Sequence, residues 1–125
     1  MILADSSIWI DYISGTQAEL DRLLSEDRVL CHPYVIAELS LGSLGKRRAD
    51  IIAFLRALPS LYPASHTEVM SMVEAHGIYS RGIGYVDANL IASLRLRPGS
   101  YLLSKDKRLN SVAEEFGVAR LLDDV

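Results

Sequence analysis

One cysteine, Cys31, is all the chain has. An intramolecular disulfide is therefore impossible, and a zinc site built on thiolates is not expected. A basic surplus is also missing: Lys and Arg total 13 against 16 Asp and Glu, a formal charge of −3. Nucleic-acid binders usually carry an excess of positive charge, although clustering counts for more than the sum. No apolar run nears the ~18 residues of a membrane span. No basic region precedes the first apolar run, so a signal peptide is not expected either, and a cytoplasmic location is the default. Repeats, low-complexity tracts and linkers are lacking as well. What is left is 125 residues, half of them apolar and 23% charged. That balance suits one folded domain, residues 1–125, with a core of its own.

The opening thirteen residues, MILADSSIWIDYI, set the pattern. A short apolar run stops at Asp5, two hydroxyls follow (Ser6 and Ser7), and an apolar segment with helical spacing begins. This reads as a buried strand ending in a carboxylate, with a helix starting at once. In an open parallel sheet the carboxyl ends of the strands face the ligand crevice, so Asp5 is expected on the floor of a site.

The rest of the chain alternates in the same way. Helical spacing runs over 7–13 and 17–24, where Ala18, Leu20, Leu23 and Leu24 are expected to face inward. Residues 28–31 read as a short strand closed by His32-Pro33. Pro33 suits the first position of a helix, which is expected to extend over 34–44. Lys46-Arg47-Arg48 opens a further helix that Pro59 stops. Residues 61–64 are expected to form a short strand, 67–79 a helix, and 86–96 the clearest inner helix, ended by Pro98-Gly99. A strand at 101–103, a helix at 107–116 capped by Gly117 and a last strand at 118–122 complete the chain. Helices between short apolar strands predict an α/β three-layer domain with a mainly parallel sheet flanked by helices.

Four carboxylates stand out by position: Asp5, Glu38, Asp87 and Asp106. Asp5 and Asp106 each follow a short apolar strand and precede a helix, and Asp87 lies in a first helical turn. Helix capping explains each aspartate alone, since free N–H groups and the helix dipole favour Asp there. Glu38 has no such account, because a mid-helix residue finds no free N–H; it is either an ordinary exposed glutamate or part of a site. Acids crowded together repel one another unless something compensates. A hard divalent cation does so, and oxygen-only ligands suit Mg²⁺ or Mn²⁺. The chemistry such an ion supports is phosphoryl transfer.

Four segments carry a resemblance at this point. ADSSIWIDY, PYVIAELSLG, GIGYVDANLIAS and LLSKDKRL, in this order and spacing, resemble the motifs of PIN-domain ribonucleases, in particular VapC-type toxins of toxin–antitoxin pairs. No single motif is specific, but four in register are. The resemblance implies a PIN-like fold and metal-dependent hydrolysis of RNA by a Mg²⁺ (or Mn²⁺) ion on Asp5, Glu38, Asp87 and Asp106, with a supporting hydroxyl from Ser6 or Ser104. Ser104 stands where the family often has Thr, which keeps the hydroxyl. Asn110 supplies no fifth acid. The resemblance further implies an RNA substrate, a homodimer, and a cognate VapB-type antitoxin that lays a segment over an apolar groove; the helices at 8–13 and 34–44 are the candidate walls.

Other residues carry two readings each. Arg81, Lys105, Lys107 and Arg108 flank the acids and could grip RNA phosphates, or could be solvated surface charge. Lys46-Arg47-Arg48 reads as a surface cluster at a helix start rather than an RNA grip. Trp9, Tyr79 and Tyr85 are expected to pack in the core, Trp9 otherwise packing on a partner and the tyrosines otherwise lining the site entrance. His32, His66 and His76 lack ligand spacing and read as structural or exposed, and Cys31 reads as a small buried hydrophobe. Two rival functions share the fold class. A receiver-like signalling domain requires paired acids after the first strand, where this chain has Asp5 followed by serines. A haloacid-dehalogenase-type phosphatase requires Asp-x-Asp, and Ser7 stands in the second place. A non-catalytic RNA- or protein-binding module of the same fold is the remaining alternative.

Overall fold

The computed structural model describes residues 1–120. Its centre is a four-stranded, wholly parallel sheet: β1 (Ile2–Ala4), β2 (Val29–Leu30), β3 (Tyr101–Leu103) and β4 (Ala119–Arg120), in the order β2-β1-β3-β4. Ile2, Leu3 and Ala4 are all buried. Successive strand side chains point to opposite faces, so a run buried without alternation requires cover on both. That cover comes from α1 (Ser6–Ile13), α2 (Ala18–Ser25), α3 (Pro33–Leu41), α4 (Arg48–Ala57), α5 (His66–His76), α6 (Tyr85–Arg95) and α7 (Lys107–Glu115). The three-layer expectation holds. Among the described residues no helix is long and apolar enough to cross a membrane.

Strand order fixes where a site can lie. From β1 the chain moves to β2 on one side, then returns past β1 to β3 on the other. The order therefore reverses between β1 and β3, and ligands bind at such a switch point, beyond the carboxyl ends of the strands. Ala4 pairs with Leu103 at that end. The next residues outward are Asp5 and Ser104.

Local sequence explains the elements around this point. Asp5 caps α1, its Oδ1 accepting from the Ile8 N–H at 3.2 Å. Asp106 caps α7 through the N–H groups of Arg108 and Leu109. Ser65 and Glu68 form a reciprocal capping box on α5. In α7, Leu109, Val112 and Ala113 are buried at i, i+3 and i+4 spacing. By contrast α6 is buried over seven consecutive residues, Ala88 to Leu94. It is the inner helix, and Asn89 and Ser93 are buried polar residues within it.

Several boundaries differ from the sequence reading. Residues 61–64 form no strand. One parallel bridge joins Cys31 to Ser60 instead, with Cys31 donating to the Pro59 carbonyl and Leu61 to that of Cys31. Pro63 has no N–H with which to extend it. The helix at 34–44 ends at Leu41 because Gly42 turns extended. The helix at 67–79 starts at His66 and ends at His76, where Gly77 enters the left-handed region at φ +62°. Lys46 and Arg47 belong to a single 3-10 turn, so α4 begins at Arg48. Ala18 is exposed rather than inward, while Leu20 and Leu23 are buried. The last strand is seen at Ala119–Arg120, and its expected continuation to 122 lies outside the described residues.

Candidate active site

Asp5 is the most enclosed of the four acids, 7% exposed. Both its carboxylate oxygens are held. Oδ1 accepts from the Ser7 hydroxyl at 2.6 Å as well as from the Ile8 N–H, and Oδ2 accepts from the Ser104 hydroxyl. Ser104 also accepts, through Oγ, from the Asp106 N–H at 3.0 Å. Its carbonyl accepts from Asn110 Nδ2 at 2.8 Å. One buried serine thus ties the end of β1 to the start of α7. Ser6 turns the other way and donates to Glu38 Oε1 at 2.7 Å. The two hydroxyls singled out in the sequence serve different acids, and Ser7 and Asn110 join them as partners that sequence reasoning missed. Ser7 was legible in principle: two residues after an N-cap aspartate, its hydroxyl is within easy reach of that carboxylate.

Glu38 and Asp106 are solvent-exposed, and Asp87 is half-buried. The Asp87 carboxylate accepts from the Gly84 N–H at 3.4 Å. Burial raises the Asp87 carboxyl above the ordinary carboxylate range. The Gly84 N–H pulls it back, and the charges of Asp106, Glu38 and Asp5 push it up again. The N-caps of α1 and α7 therefore share one electrostatic neighbourhood with residues of α3 and α6. Three of these acids lie in first turns or at N-caps, where free N–H groups and the dipole offset part of their repulsion. Capping and convergence are compatible: the helices that Asp5, Asp87 and Asp106 stabilise are the devices that bring them together.

Among the described residues no three Asp, Glu, His or Cys side chains close into a compact metal cage. The donors are carboxylate and hydroxyl oxygens in an open arrangement. Mg²⁺ takes one or two carboxylates directly and keeps several waters, so this donor chemistry suits that ion or Mn²⁺.

The basic residues take varied positions. Lys105 Nζ lies 2.5 Å from Asp11 Oδ2. Arg81 pairs with Glu115 and reaches Ser111 Oγ at 3.3 Å. Lys107 and Arg108 are exposed in the first turn of α7. Arg108 lies so close over Gly82 that a Cβ there would fall 2.6 Å from its Cδ. The two tyrosines are not core residues. Tyr79 is exposed, and Tyr85, at the start of α6, reaches His66 Nδ1 at 3.0 Å with the rings tilted together. Trp9 is buried as expected, at 1% exposure. It floors a groove of about 480 Å³ whose apolar lining is Tyr12 and Ile13 of α1 and Ile51, Phe54 and Leu55 of α4, with Arg47 and Asp50 at its edge. The 34–44 helix, observed as α3, does not line this groove; Pro33 and Ile36 of α3 line a separate one with Leu55 and Arg56 of α4.

Fold and site together define a parallel α/β domain with neighbouring carboxylates at its switch point. The chain belongs to the PIN-domain family, whose model matches residues 2–115. It is 42% identical over 119 residues to Ribonuclease VapC32 of Mycobacterium tuberculosis, covering 95% of each chain. It is also 27% identical over 126 residues to VapC ribonuclease Mb1587 of Mycobacterium bovis and to Ribonuclease VapC11 of Mycobacterium tuberculosis, covering 90% of this chain and 92% of each relative.

Proposed function

We propose that this chain is the endoribonuclease toxin of a VapBC-type pair, acting in the cytoplasm and cutting RNA with a Mg²⁺ or Mn²⁺ ion on Asp5, Asp87, Glu38 and Asp106. The observation that carries this reading is geometric: Ser104 bonds both Asp5 and the Asp106 N–H, the neighbouring Ser6 bonds Glu38, and the Asp87 carboxyl, raised first by burial, also feels the charges of all three. Such a cluster invites a divalent cation more than protons, because a hard ion neutralises several oxygens at once. The relatives named above are ribonucleases, which supports RNA as the substrate.

When bound, the ion supplies charge neutralisation at the phosphodiester and activation of water. The protein side chains prepare the rest. Ser7 and Ser104 fix both oxygens of Asp5, and Ser6 fixes Glu38. The Gly84 N–H holds Asp87 at the start of α6. Lys107 and Arg108 stand on the helix that Asp106 caps, placed to meet phosphates of the bound strand; Lys105 and Arg81 would join by exchanging Asp11 and Glu115 for phosphate. The groove between α1 and α4 is the seat of an antitoxin segment, and the toxin acts as a homodimer.

The test uses purified protein and total RNA, with Mg²⁺, Mn²⁺ or EDTA, comparing wild type with Asp5→Asn and Asp87→Asn. Cleavage is expected with either ion and lost with EDTA or with either substitution. Cleavage that survives EDTA or both substitutions overturns the reading.

A further inference from the structure

Three of the buried polar side chains have no bond to the acids and lie at the N-cap of α3 and on α6: His32 and Asn89, both 0% exposed, and Ser93 at 1%. They form one connected network. His32 caps α3, with Nδ1 accepting from the Tyr34 N–H at 3.0 Å. Nδ1 is therefore the bare nitrogen, and Nε2 carries the proton. Nε2 meets Asn89 Oδ1 at 3.1 Å and Ser93 Oγ at 3.0 Å. The Asn89 amide donates to the Ala64 carbonyl at 2.9 Å, which fixes the amide with its oxygen toward the ring. The Ala64 N–H returns a bond to Ser93 Oγ at 3.0 Å, and the Ser93 hydroxyl donates to the Asn89 carbonyl at 2.8 Å. Each of the three side chains is thus bonded to the others or to the backbone of Tyr34 and Ala64.

A buried network of this kind is costly to leave half-made and rigid when complete. Aliphatic residues would fill the same space without the direction that hydrogen bonds impose. The direction has a use. Helix α3 packs chiefly on α1 and α4, whereas α6 packs on α5 and β3. His32 bridges the two groups. Glu38 lies six residues beyond His32 on α3, about 9 Å along the helix axis, and Asp87 lies two residues before Asn89 on α6. We propose that His32, acting through Asn89 and Ser93, is a positioning residue that sets the helix bearing Glu38 against the helix bearing Asp87.

This rests on the nuclease reading. Burial lowers the His32 ring to about 4 despite its bond to Asn89, so the ring is neutral near pH 7, as the network needs.

Two substitutions divide the functions of the ring. His32→Asn keeps an oxygen for the Tyr34 N–H, as a good N-cap does, but falls short of Asn89 and Ser93. His32→Gln places an amide N–H near the position of Nε2 and restores the bridge. Leu20→Ala, in the core on α2, a helix that carries none of the four acids, controls for lost stability. The measurements are Mn²⁺ affinity by calorimetry on the full chain, and kcat and KM for RNA cleavage, at a temperature where each variant is folded. His32→Asn is expected to weaken Mn²⁺ binding and lower kcat, each by about tenfold, as loss of a supporting shell does. Its KM stays within about twofold, His32→Gln recovers most of both losses, and Leu20→Ala retains wild-type values. If His32→Asn does not fold, Ser93→Ala carries the same expectation. Wild-type Mn²⁺ affinity and kcat in His32→Asn, or equal losses in Leu20→Ala, overturn the inference. A wild-type chain that neither binds Mn²⁺ nor cuts RNA overturns the nuclease reading itself and this inference with it.

Discussion

The Ser104 hydroxyl donates to Asp5 Oδ2, joining residues 99 positions apart. The pairing of Ala4 with Leu103 sets the two side by side, since each residue is the next one past the paired strand ends. Ser104→Ala removes the donor to Asp5 and the acceptor for the Asp106 N–H together. Its kcat is expected to fall about tenfold, by misplacing two acids, with about 1–2 kcal/mol lost from stability. Ser104→Thr keeps the hydroxyl and should retain activity. Cleavage rates and urea denaturation of both variants measure this, and an Ala variant as fast as wild type would remove Ser104 from the site.

Asp87 gives a prediction in which stability and activity move in opposite directions. Its carboxyl is disfavoured as an ion by burial and by Asp106, Glu38 and Asp5. Asp87→Asn removes the charge and keeps an oxygen for the Gly84 N–H. The metal-free Asn variant should therefore melt above metal-free wild type while cutting no RNA. Added Mn²⁺ should raise the wild-type Tm by binding the folded state and leave the Asn variant unmoved. Thermal melts with and without Mn²⁺ measure both effects; a destabilised metal-free variant would show that repulsion at Asp87 is already relieved.

Much of this was legible in the sequence for physical reasons that can be named. Asp5 and Asp106 announce themselves because a short apolar strand must stop at a polar residue, and an aspartate there begins the next helix. Glu38 was ambiguous in the sequence, and in the fold it is exposed yet accepts from the Ser6 hydroxyl, a partner its mid-helix position did not reveal. The short strand at 61–64 failed because one bridge at Ser60, flanked by Pro59 and Pro63, satisfies the local backbone without a ladder. Tyr85 was misread as core because apolar spacing does not show that the first turn of α6 projects beyond the packed layer. The His32 network was hidden for a different reason. It depends on Asn89 and Ser93, an i, i+4 polar pair on an otherwise buried helix, and on a histidine 57 residues upstream of Asn89 that only the fold brings to them. The polar pair was visible in the sequence, but its partner was not.

His32 also predicts how stability depends on pH. The ring titrates at about 4 in the fold against 6.5 as its ordinary value. Between those values the unfolded chain binds the extra proton, so folding loses ground as pH falls. The contribution is fully present above pH 6.5 and declines toward pH 4, by about 3 kcal/mol in all at about 1.4 kcal/mol per pH unit. His32→Asn has no ring to protonate. Its stability deficit relative to wild type should be largest near pH 7 and narrow as pH approaches 4. Urea denaturation of both proteins across that range measures the gap, and a constant gap would mean that the ring is not held neutral.

Phe54 tests the groove without disturbing the acids. It is 45% exposed on α4, edge-on to the Trp9 indole with ring centres 6.3 Å apart. Phe54→Asp sets a charge in the apolar wall and should weaken binding of an antitoxin segment at least about tenfold, the loss expected for an aromatic anchor. RNA cleavage should be unchanged, because Asp5, Glu38, Asp87 and Asp106 all lie outside α4. Trp9→Asp is a poorer probe: at 1% exposure, a charge there would break the core before it tested binding. Leu41 is 89% exposed and outside the groove lining, so Leu41→Asp should bind as wild type does. Calorimetry with the antitoxin separates the two walls. Loss in Leu41→Asp with retention in Phe54→Asp would move the docking surface from α4 to α3.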